Sequence, residues 1–378
     1  MAEYKGIHGT KIQNYTTDPD NPITGQVWYN ETSQTMKFQY PTTIDAWSTG
    51  TNVNTARRSL GGAGTYTSAL AFGGYDTNYS ALTESWNGSA WTEVNDLTTG
   101  RNGVTGVGAD NTSALATGGY SATTLYTGRT ETWNGTSWTE VADLNTARAA
   151  SGGAGIATAA ITVGGNIPPN SSVTNNESWN GTSWTEVGDL NTAREGVTAS
   201  NTGTQAAALL AGGQQGFPVN TGPTALVESW NGTSWAEVGD LNTSREHTAN
   251  TGTQTSALAF AGQAPSPSVI TESWNGTSWT EVGDLNTART QHTKAGNSSN
   301  ALAVTGYTGT ANTAATEEWN AATPVGAWST GNDMNTARTN LAGAGTQTAG
   351  LAFGGSPPDT GVTAVSYTHL TLPTKRIV

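Results

Sequence analysis

An arginine recurs along this chain at nearly constant spacing, at the end of a tetrapeptide similar to Asn-Thr-Ala-Arg. Its copies follow one another at intervals of 44 to 51 residues and lie at Arg57, Arg101, Arg148, Arg194, Arg245, Arg289 and Arg338. A tryptophan lies ten residues before every copy, and in five units another tryptophan lies five residues before that one. In a sixth unit the partner is Trp319, nine residues before Trp328, and we attribute the longer spacing to an insertion. A glycine follows most copies by 17 or 18 residues. A period of this length restricts the chain to an architecture of similar neighbouring units.

Each unit has the pattern of four short β-strands. A small-residue segment follows the arginine, then come an apolar run such as SALAFGG, a segment ending in Glu-Ser-Trp, and a segment such as Trp-Thr-Glu-Val. Asn-Gly between the last two segments is typical of a hairpin, which would set the two tryptophans opposite each other. Thr, Asn, Ser, Gly and Ala dominate, so helix formers are scarce, and 14 tryptophans argue against disorder. We therefore predict an all-β chain whose units are the four-stranded blades of a β-propeller.

The position of Trp47 predicts how the ring closes. Trp47 has the ten-residue relation to Arg57 but has no hairpin partner upstream. We therefore expect it in the fourth strand of a blade whose first two strands lie near the other end of the chain, around residues 338–355. Six blades are then complete in sequence and a seventh is shared between the ends, which removes an exposed sheet edge. The sequence thus predicts a seven-bladed ring.

The order of arginine, glycine pair, aromatic residue and tryptophan resembles the kelch repeat. The resemblance covers roughly Trp47 to Gly355 and is closer in spacing than in sequence, since the units are poor in bulky aliphatic residues. It implies a propeller fold. It implies no particular activity, because propellers of this kind carry very different functions.

The repeat divides the chain into an N-terminal segment (1–43), the propeller (44–364) and a tail (365–378). The N-terminal segment is β-rich in pattern, but its few aromatic residues cannot form a core alone. We expect it to attach the protein to a particle or to sister chains, giving a homo-oligomer. Gly25–Lys37 has the pattern G-x-V-W-Y-N-x-x-S-x-x-M-K and resembles N-terminal segments of marine bacteriophage proteins. That resemblance implies a virion appendage of the tail-fibre or adsorption type.

The last residues, VSYTHLTLPTKRIV, do not follow the pattern of the repeat. They resemble the in-frame translation of a sequencing adapter, and the alternative is a natural divergent tail. We expect the former, which would mean that the natural sequence is truncated near Ala364.

Net charge and composition exclude several classes of function. A formal net charge of −13 argues against a nucleic-acid partner. The absence of cysteine excludes disulfides, thiolate nucleophiles and cysteine-ligated zinc. No apolar run approaches the ~20 residues of a membrane span, and the first 15 residues lack a signal-peptide core. We therefore expect no membrane insertion, and the resemblance to phage proteins implies a virion or extracellular location.

The repeated acids have two interpretations, paired carboxylates for catalysis or metal binding, and a structural role in holding the arginines. They comprise glutamates two residues before a tryptophan (Glu84, Glu131, Glu177, Glu228, Glu272, Glu317) and aspartates five before an arginine (Asp96, Asp143, Asp189, Asp240, Asp284, Asp333). We favour the structural role, because an active site needs unlike groups converging at one place. His247 and His292 should face opposite ways, since they lie at different offsets from their arginines. We therefore predict no catalytic residue, no metal and no cofactor.

Variation between the units is a better guide to function than repetition. The connection from the glycine pair to the next tryptophan varies in length and content, as in YDTNYSAL and QQGFPVNTGPTAL. Variable loops on a rigid scaffold are where binding usually resides, and the alternative is drifting surface loops without a ligand. The candidate ligand-binding residues are Tyr75, Tyr79, Tyr120, Tyr126, Phe217 and Tyr307, whose rings could stack on sugars.

These observations favour a non-enzymatic virion protein that binds a host cell-surface glycan or receptor through the loop face of the propeller. The alternatives are a purely structural virion decoration or spacer and, less favoured, a glycan-cleaving enzyme.

Overall fold

A computed structural model of the chain is all-β wherever it describes the backbone. The described residues are 13–16, 27–30, 32, 35–200, 203–216, 222–330, 339–346, 349–356 and 368–370, with side chains described at 16, 32, 46–200, 203–216 and 222–321. The chain divides into two compact units, one of Asp45–Ala322 and the other of Met1–Ile44 with Thr323–Val378. Among the described residues, no helix is long and apolar enough to span a lipid bilayer.

The unit Asp45–Ala322 is a six-bladed β-propeller of four-stranded antiparallel blades. From first to fourth strand, the blades consist of Gly61–Thr65, Ser68–Phe72, Thr83–Trp86 and Trp91–Val94 (blade 1); Thr105–Asp110, Ser113–Thr117, Thr130–Trp133 and Trp138–Val141 (blade 2); Gly152–Ile156, Ala159–Val163, Asn176–Trp179 and Trp184–Glu186 (blade 3); Thr198–Ala199, Ala208–Ala211, Val227–Trp230 and Trp235–Glu237 (blade 4); Ala249–Gly252, Ala257–Phe260, Thr271–Trp274 and Trp279–Glu281 (blade 5); and Thr293–Gly296, Asn300–Val304, Thr316–Thr330 and Thr35–Thr49 (blade 6). First strands of neighbouring blades contact one another and so surround the central channel.

The predicted Asn-Gly hairpins are confirmed. In blade 1, Trp86 pairs directly with Trp91, and their ring centroids are 5.3 Å apart. The Asn87 Oδ1 atom accepts hydrogen bonds from the backbone N–H groups of Ser89 and Ala90, and Gly88 has a φ of 93°. Asparagine and glycine therefore fold this turn locally, since a φ in this range suits glycine.

Tryptophans and small residues hold neighbouring blades together. The Trp138 indole of blade 2 donates to the Thr83 hydroxyl of blade 1 (3.0 Å), and its ring lies 4.8 Å from that of Phe72. Nearer the channel the backbones approach so closely that a Cβ on Gly106 would lie 2.6 Å from the Gly62 nitrogen. The scarcity of bulky aliphatic residues is thus a requirement of close packing between first strands.

The ring has six blades, so the prediction of seven is wrong. Trp47 does lie in a fourth strand, but it belongs to the blade that follows Arg289. Its ring is 5.5 Å from that of Trp319, and its indole donates to the Thr271 hydroxyl of blade 5 (3.0 Å). The Trp91 indole of blade 1 likewise donates to the Thr316 hydroxyl of blade 6 (3.2 Å). Blades 6 and 1 are therefore direct neighbours.

The error came from treating Trp319 and Trp328 as a hairpin pair. No Asn-Gly turn separates them, and the chain continues straight through Thr316–Thr330. The fourth-strand position is consequently left for the strand that contains Trp47. The strands Thr339–Thr346 and Ala349–Ser356, which the sequence assigned to a seventh blade, pair with each other in the second unit.

The second unit contains two groups of described strands. Gln13–Tyr15 pairs in parallel with Val27–Asn30, which pairs antiparallel with the beginning of Thr35–Thr49. Ala349–Ser356 also pairs with Thr368–Leu370. Arg338, Asp333 and most of residues 365–378 lie outside the described residues.

Candidate functional site

Each of the six repeated arginines within the described residues forms a buried ion pair with a glutamate of the blade that follows it. The six pairs have nitrogen–oxygen distances of 2.5 to 3.2 Å and are Arg57–Glu84, Arg101–Glu131, Arg148–Glu177, Arg194–Glu228, Arg245–Glu272 and Arg289–Glu317. In blade 4 the Glu228 carboxylate also accepts from the Asn191 backbone and side chain, and Arg194 Nη1 donates to the Gly212 and Leu226 carbonyls. We call this arrangement the clamp, since it ties the loop that enters a blade to that blade's strands.

The clamp confirms the structural interpretation of the repeated glutamates. The aspartates have a different role, because Asp96, Asp143, Asp189, Asp240 and Asp284 each accept the first backbone N–H of the third strand of their own blade. All the side-chain polar atoms of a clamp point into the blade, and the arginines are 0% exposed. Clamps therefore have no surface to offer a ligand.

The loops between second and third strands share one end of the ring with the loops that carry the arginines, because both connections lie at the same end of antiparallel strands. We call this end the loop face. Tyr75 and Tyr79 meet edge to face with centroids 5.9 Å apart. The Arg58 guanidinium lies 5.1 Å from the Tyr75 ring and 5.0 Å from the Tyr307 ring, across the junction of blades 1 and 6. Three of the predicted tyrosines therefore form one half-buried group with Arg58.

Tyr120 and Tyr126 form a second group on the same face, with ring centroids 4.8 Å apart. The Tyr126 hydroxyl donates to Asn166 Oδ1 (2.6 Å), and Asn166 Nδ2 donates to the Glu195 carboxylate. Gln214 Nε2 donates to the other oxygen of Glu195 (3.0 Å). This network joins blades 2, 3 and 4. Phe217, the remaining candidate, lies outside the described residues.

A belt of backbone hydrogen bonds surrounds the channel at the loop face. Its members are the second residues after each clamp arginine, namely Ser59, Gly103, Ala150, Gly196, His247 and Gln291, all with φ between 50° and 61°. Five bonds of 2.7 to 3.0 Å link N–H to C=O from one blade to the next, beginning with Ser59 N–H to the Gln291 carbonyl. The left-handed conformation is thus imposed on all six blades, although only two have glycine there.

A cavity of about 420 Å³ opens inside this belt. Blades 1 to 4 contribute only Ser, Gly, Ala and Gly to the belt, whereas blades 5 and 6 contribute His247 and Gln291. The cavity is therefore asymmetric, because the small belt residues leave space on one side and the larger polar belt residues occupy the other. Tyr120, Asn102 and Glu195 also line it.

A lysine side chain crosses the channel near the cavity. Lys294 of blade 6 is 8% exposed, and its Nζ atom donates to the Ala199 carbonyl of blade 4 (2.7 Å), across the channel. Side chains two residues apart on a strand point to the same side. Lys294 lies two residues beyond His292, and Ala199 two residues beyond Val197, so the bridge lies further along the channel than these two residues of the cavity wall. Burial lowers the pKa of Lys294 to about 7.

Buried polar atoms without partners lie in the cavity wall. His292 is 7% exposed, and among the described residues neither of its ring nitrogens has a hydrogen-bond partner; the same holds for Asn102 Oδ1. Burial lowers the pKa of His247 to about 4, and burial followed by nearby positive charges lowers that of His292 well below its usual range. Both imidazoles are therefore neutral at neutral pH.

The prediction that His247 and His292 face opposite ways is wrong, because both line the cavity. Side-chain alternation does not apply to His247, which lies in the left-handed belt just before the first strand begins at Ala249. Glu195 and Glu246 were not predicted either. Burial raises the pKa of both carboxyl groups. A signal existed, since the dipeptide after each repeated arginine is different in all six blades, whereas the arginine itself does not change.

The fold and site define a six-bladed propeller with a polar cavity at one mouth of its channel. No cluster of three or more potential metal ligands exists among the described residues. No protein-family model matches the chain, and no curated protein matches it at a significant level.

Proposed function

We propose that this protein binds carbohydrate through its loop face and does not cleave it. The observation that carries the proposal is the polar cavity at the channel mouth, flanked by tyrosine groups on neighbouring blades. Sugars offer hydroxyl groups to polar side chains and flat C–H faces to aromatic rings, so this combination suits them. A rigid scaffold with variable loops is the usual setting for such binding.

The location of the protein is a further part of the proposal. The kelch-like order of the repeat, together with the phage-like pattern of Gly25–Lys37, supports a virion appendage of marine phage type that recognises a host surface. Residues 1–43 would attach it to other virion proteins or to sister subunits.

A glycan array with a parallel assay for released oligosaccharide tests this function. We expect binding to a defined set of glycans without product release, and loss of that binding in Tyr120→Ala and Tyr126→Ala proteins that remain folded. The matched control is Tyr66→Phe, which changes a tyrosine at the opposite end of blade 1 and should leave binding unchanged. Absence of any bound glycan would favour the structural spacer, and product release would favour the enzyme.

A further inference from the structure

We propose that the cavity at the channel mouth is a subsite for one uncharged sugar residue, whose hydroxyl groups bond His292 and Asn102. The inference rests on the carbohydrate-binding function proposed above and names the chemistry that one part of the loop face selects.

The shape of the cavity fits a ligand that enters end-on. Its volume of about 420 Å³ lies within the range of ~300–1,000 Å³ usual for small-molecule sites. The Lys294–Ala199 bridge crosses the channel deeper than the cavity wall, and the small belt residues of blades 1 to 4 leave space at the mouth. A chain of sugars could therefore place its terminal residue inside while the rest crosses the tyrosine groups.

The unpartnered atoms specify hydroxyl groups. A neutral imidazole has one donor and one acceptor nitrogen, and an amide oxygen accepts only. The His292 nitrogens and Asn102 Oδ1 therefore present both kinds of group, buried and unsatisfied. Buried polar atoms normally have partners, because leaving them without one is unfavourable. A hydroxyl group both donates and accepts, so sugar hydroxyls on the two sides of the cavity would satisfy these atoms once a side-chain rotation turns them towards the ligand.

The charges facing the cavity argue against an acidic sugar. Glu195 lines the wall, and both of its oxygens already accept amide N–H groups. Glu246 lies beside it and raises its pKa. Within the part of the chain that the structure describes, neither carboxylate forms a salt bridge. A carboxylate ligand would therefore meet uncompensated negative charge.

Of the nearby cations, Arg58 lines the cavity, but its guanidinium is engaged by other groups. Lys294 is buried and bonded to Ala199. The Arg58 guanidinium is held between two tyrosine rings and donates to Asn312 Oδ1 (3.3 Å). His292 is kept neutral by burial and by Arg289, Lys294, His247 and Arg245. An uncharged sugar is thus the ligand that the wall best accommodates.

Two substitutions test the subsite in the full-length protein. His292→Phe keeps a ring of similar shape beside Phe260, now 5.6 Å from the imidazole, but removes both nitrogens. Ala150→His places in the belt of blade 3 the side chain that blade 5 already has there, and so fills the open side of the cavity. The control Ala206→His makes the same change at an exposed turn on the opposite end of blade 4.

The probes are glucose, galactose, mannose and N-acetylglucosamine, compared with galacturonic acid and N-acetylneuraminic acid, in saturation-transfer NMR and titration calorimetry. We expect saturable binding of at least one uncharged sugar and none of either acid. Both cavity variants should weaken it at least about tenfold, with Ala206→His unchanged.

Preference for an acidic sugar, or unchanged binding in the folded cavity variants, would overturn the subsite while leaving carbohydrate binding intact. Failure of the wild-type protein to bind any monosaccharide would also overturn it. If the glycan array shows no binding either, the proposed function fails as well.

Discussion

The clamp and the channel mouth lie within a few residues of each other in every blade, yet they follow opposite rules. The clamp repeats the same arginine and glutamate six times, fully buried and ion-paired with each other. At the mouth, the dipeptide after each of these arginines is different in every blade. Positions that carry the same residue in all blades therefore belong to the framework, and positions that differ between blades form the surface available to a ligand.

The belt shows how the two regions are joined. Its backbone geometry is nearly the same in all blades, so the side chain at each belt position can change without altering the ring. Blades 5 and 6 use this freedom to place His247 and Gln291 at the cavity. Residues with a positive φ are unfavourable unless the surrounding structure imposes them, and here the clamp supplies that constraint.

The largest expected effect is at the clamp. Glu228→Ala leaves Arg194 buried and uncompensated, which should lower the free energy of unfolding by about 3–5 kcal/mol. The control is Glu140→Ala, which breaks the exposed pair with Arg129 and should lower it by about 1 kcal/mol or less. Urea titration measures both. Similar losses at the two sites would contradict the division between framework and surface.

The next effect concerns Lys294 and depends on pH. The pKa of Lys294 is about 7 in the folded protein, below its usual value of 10.5. The unfolded chain therefore binds more protons between these values, and stability should rise with pH across that window, by up to about 1.4 kcal/mol per unit. Lys294→Met should flatten the rise between pH 7 and 9.5. An unchanged slope would contradict the lowered pKa of a buried Lys294.

A smaller effect tests whether the protein becomes more stable when one blade is given the threonine that other blades have at the same position. The Trp235 indole and Asn176 Oδ1 are both without partners, whereas blades with threonine at this position use its hydroxyl to accept the tryptophan N–H, as Thr83 does. Asn176→Thr should therefore raise the free energy of unfolding by about 1 kcal/mol. Val227→Thr should not, because Trp279 already donates to the Gly239 carbonyl. Equal effects would contradict this explanation.

The sequence predicted the repeated parts of the fold well, because local turn chemistry and spacing determine them. The Asn-Gly hairpins, the tryptophan pairs and the fourth-strand position of Trp47 all follow from residues within one unit. The blade count did not, since it depends on whether the chain turns after Trp319, and the missing Asn-Gly turn was treated as an insertion.

The candidate site was predicted only in part. The loop face was found from variable loops, and its tyrosines do form groups there. The cavity was missed because side-chain alternation was applied to residues that lie in a left-handed belt rather than in a strand. Only the folded ring brings Asn102, His247 and His292, which are far apart in sequence, to one cavity.

Parallel measurement of sugar binding per folded molecule and of unfolding in Glu228→Ala and His292→Phe tests the division between clamp and mouth most directly. The account predicts that Glu228→Ala is less stable but binds normally, whereas His292→Phe is at least as stable as the wild type but binds at least about tenfold more weakly. Lost binding in the clamp variant with retained binding in the mouth variant would contradict it.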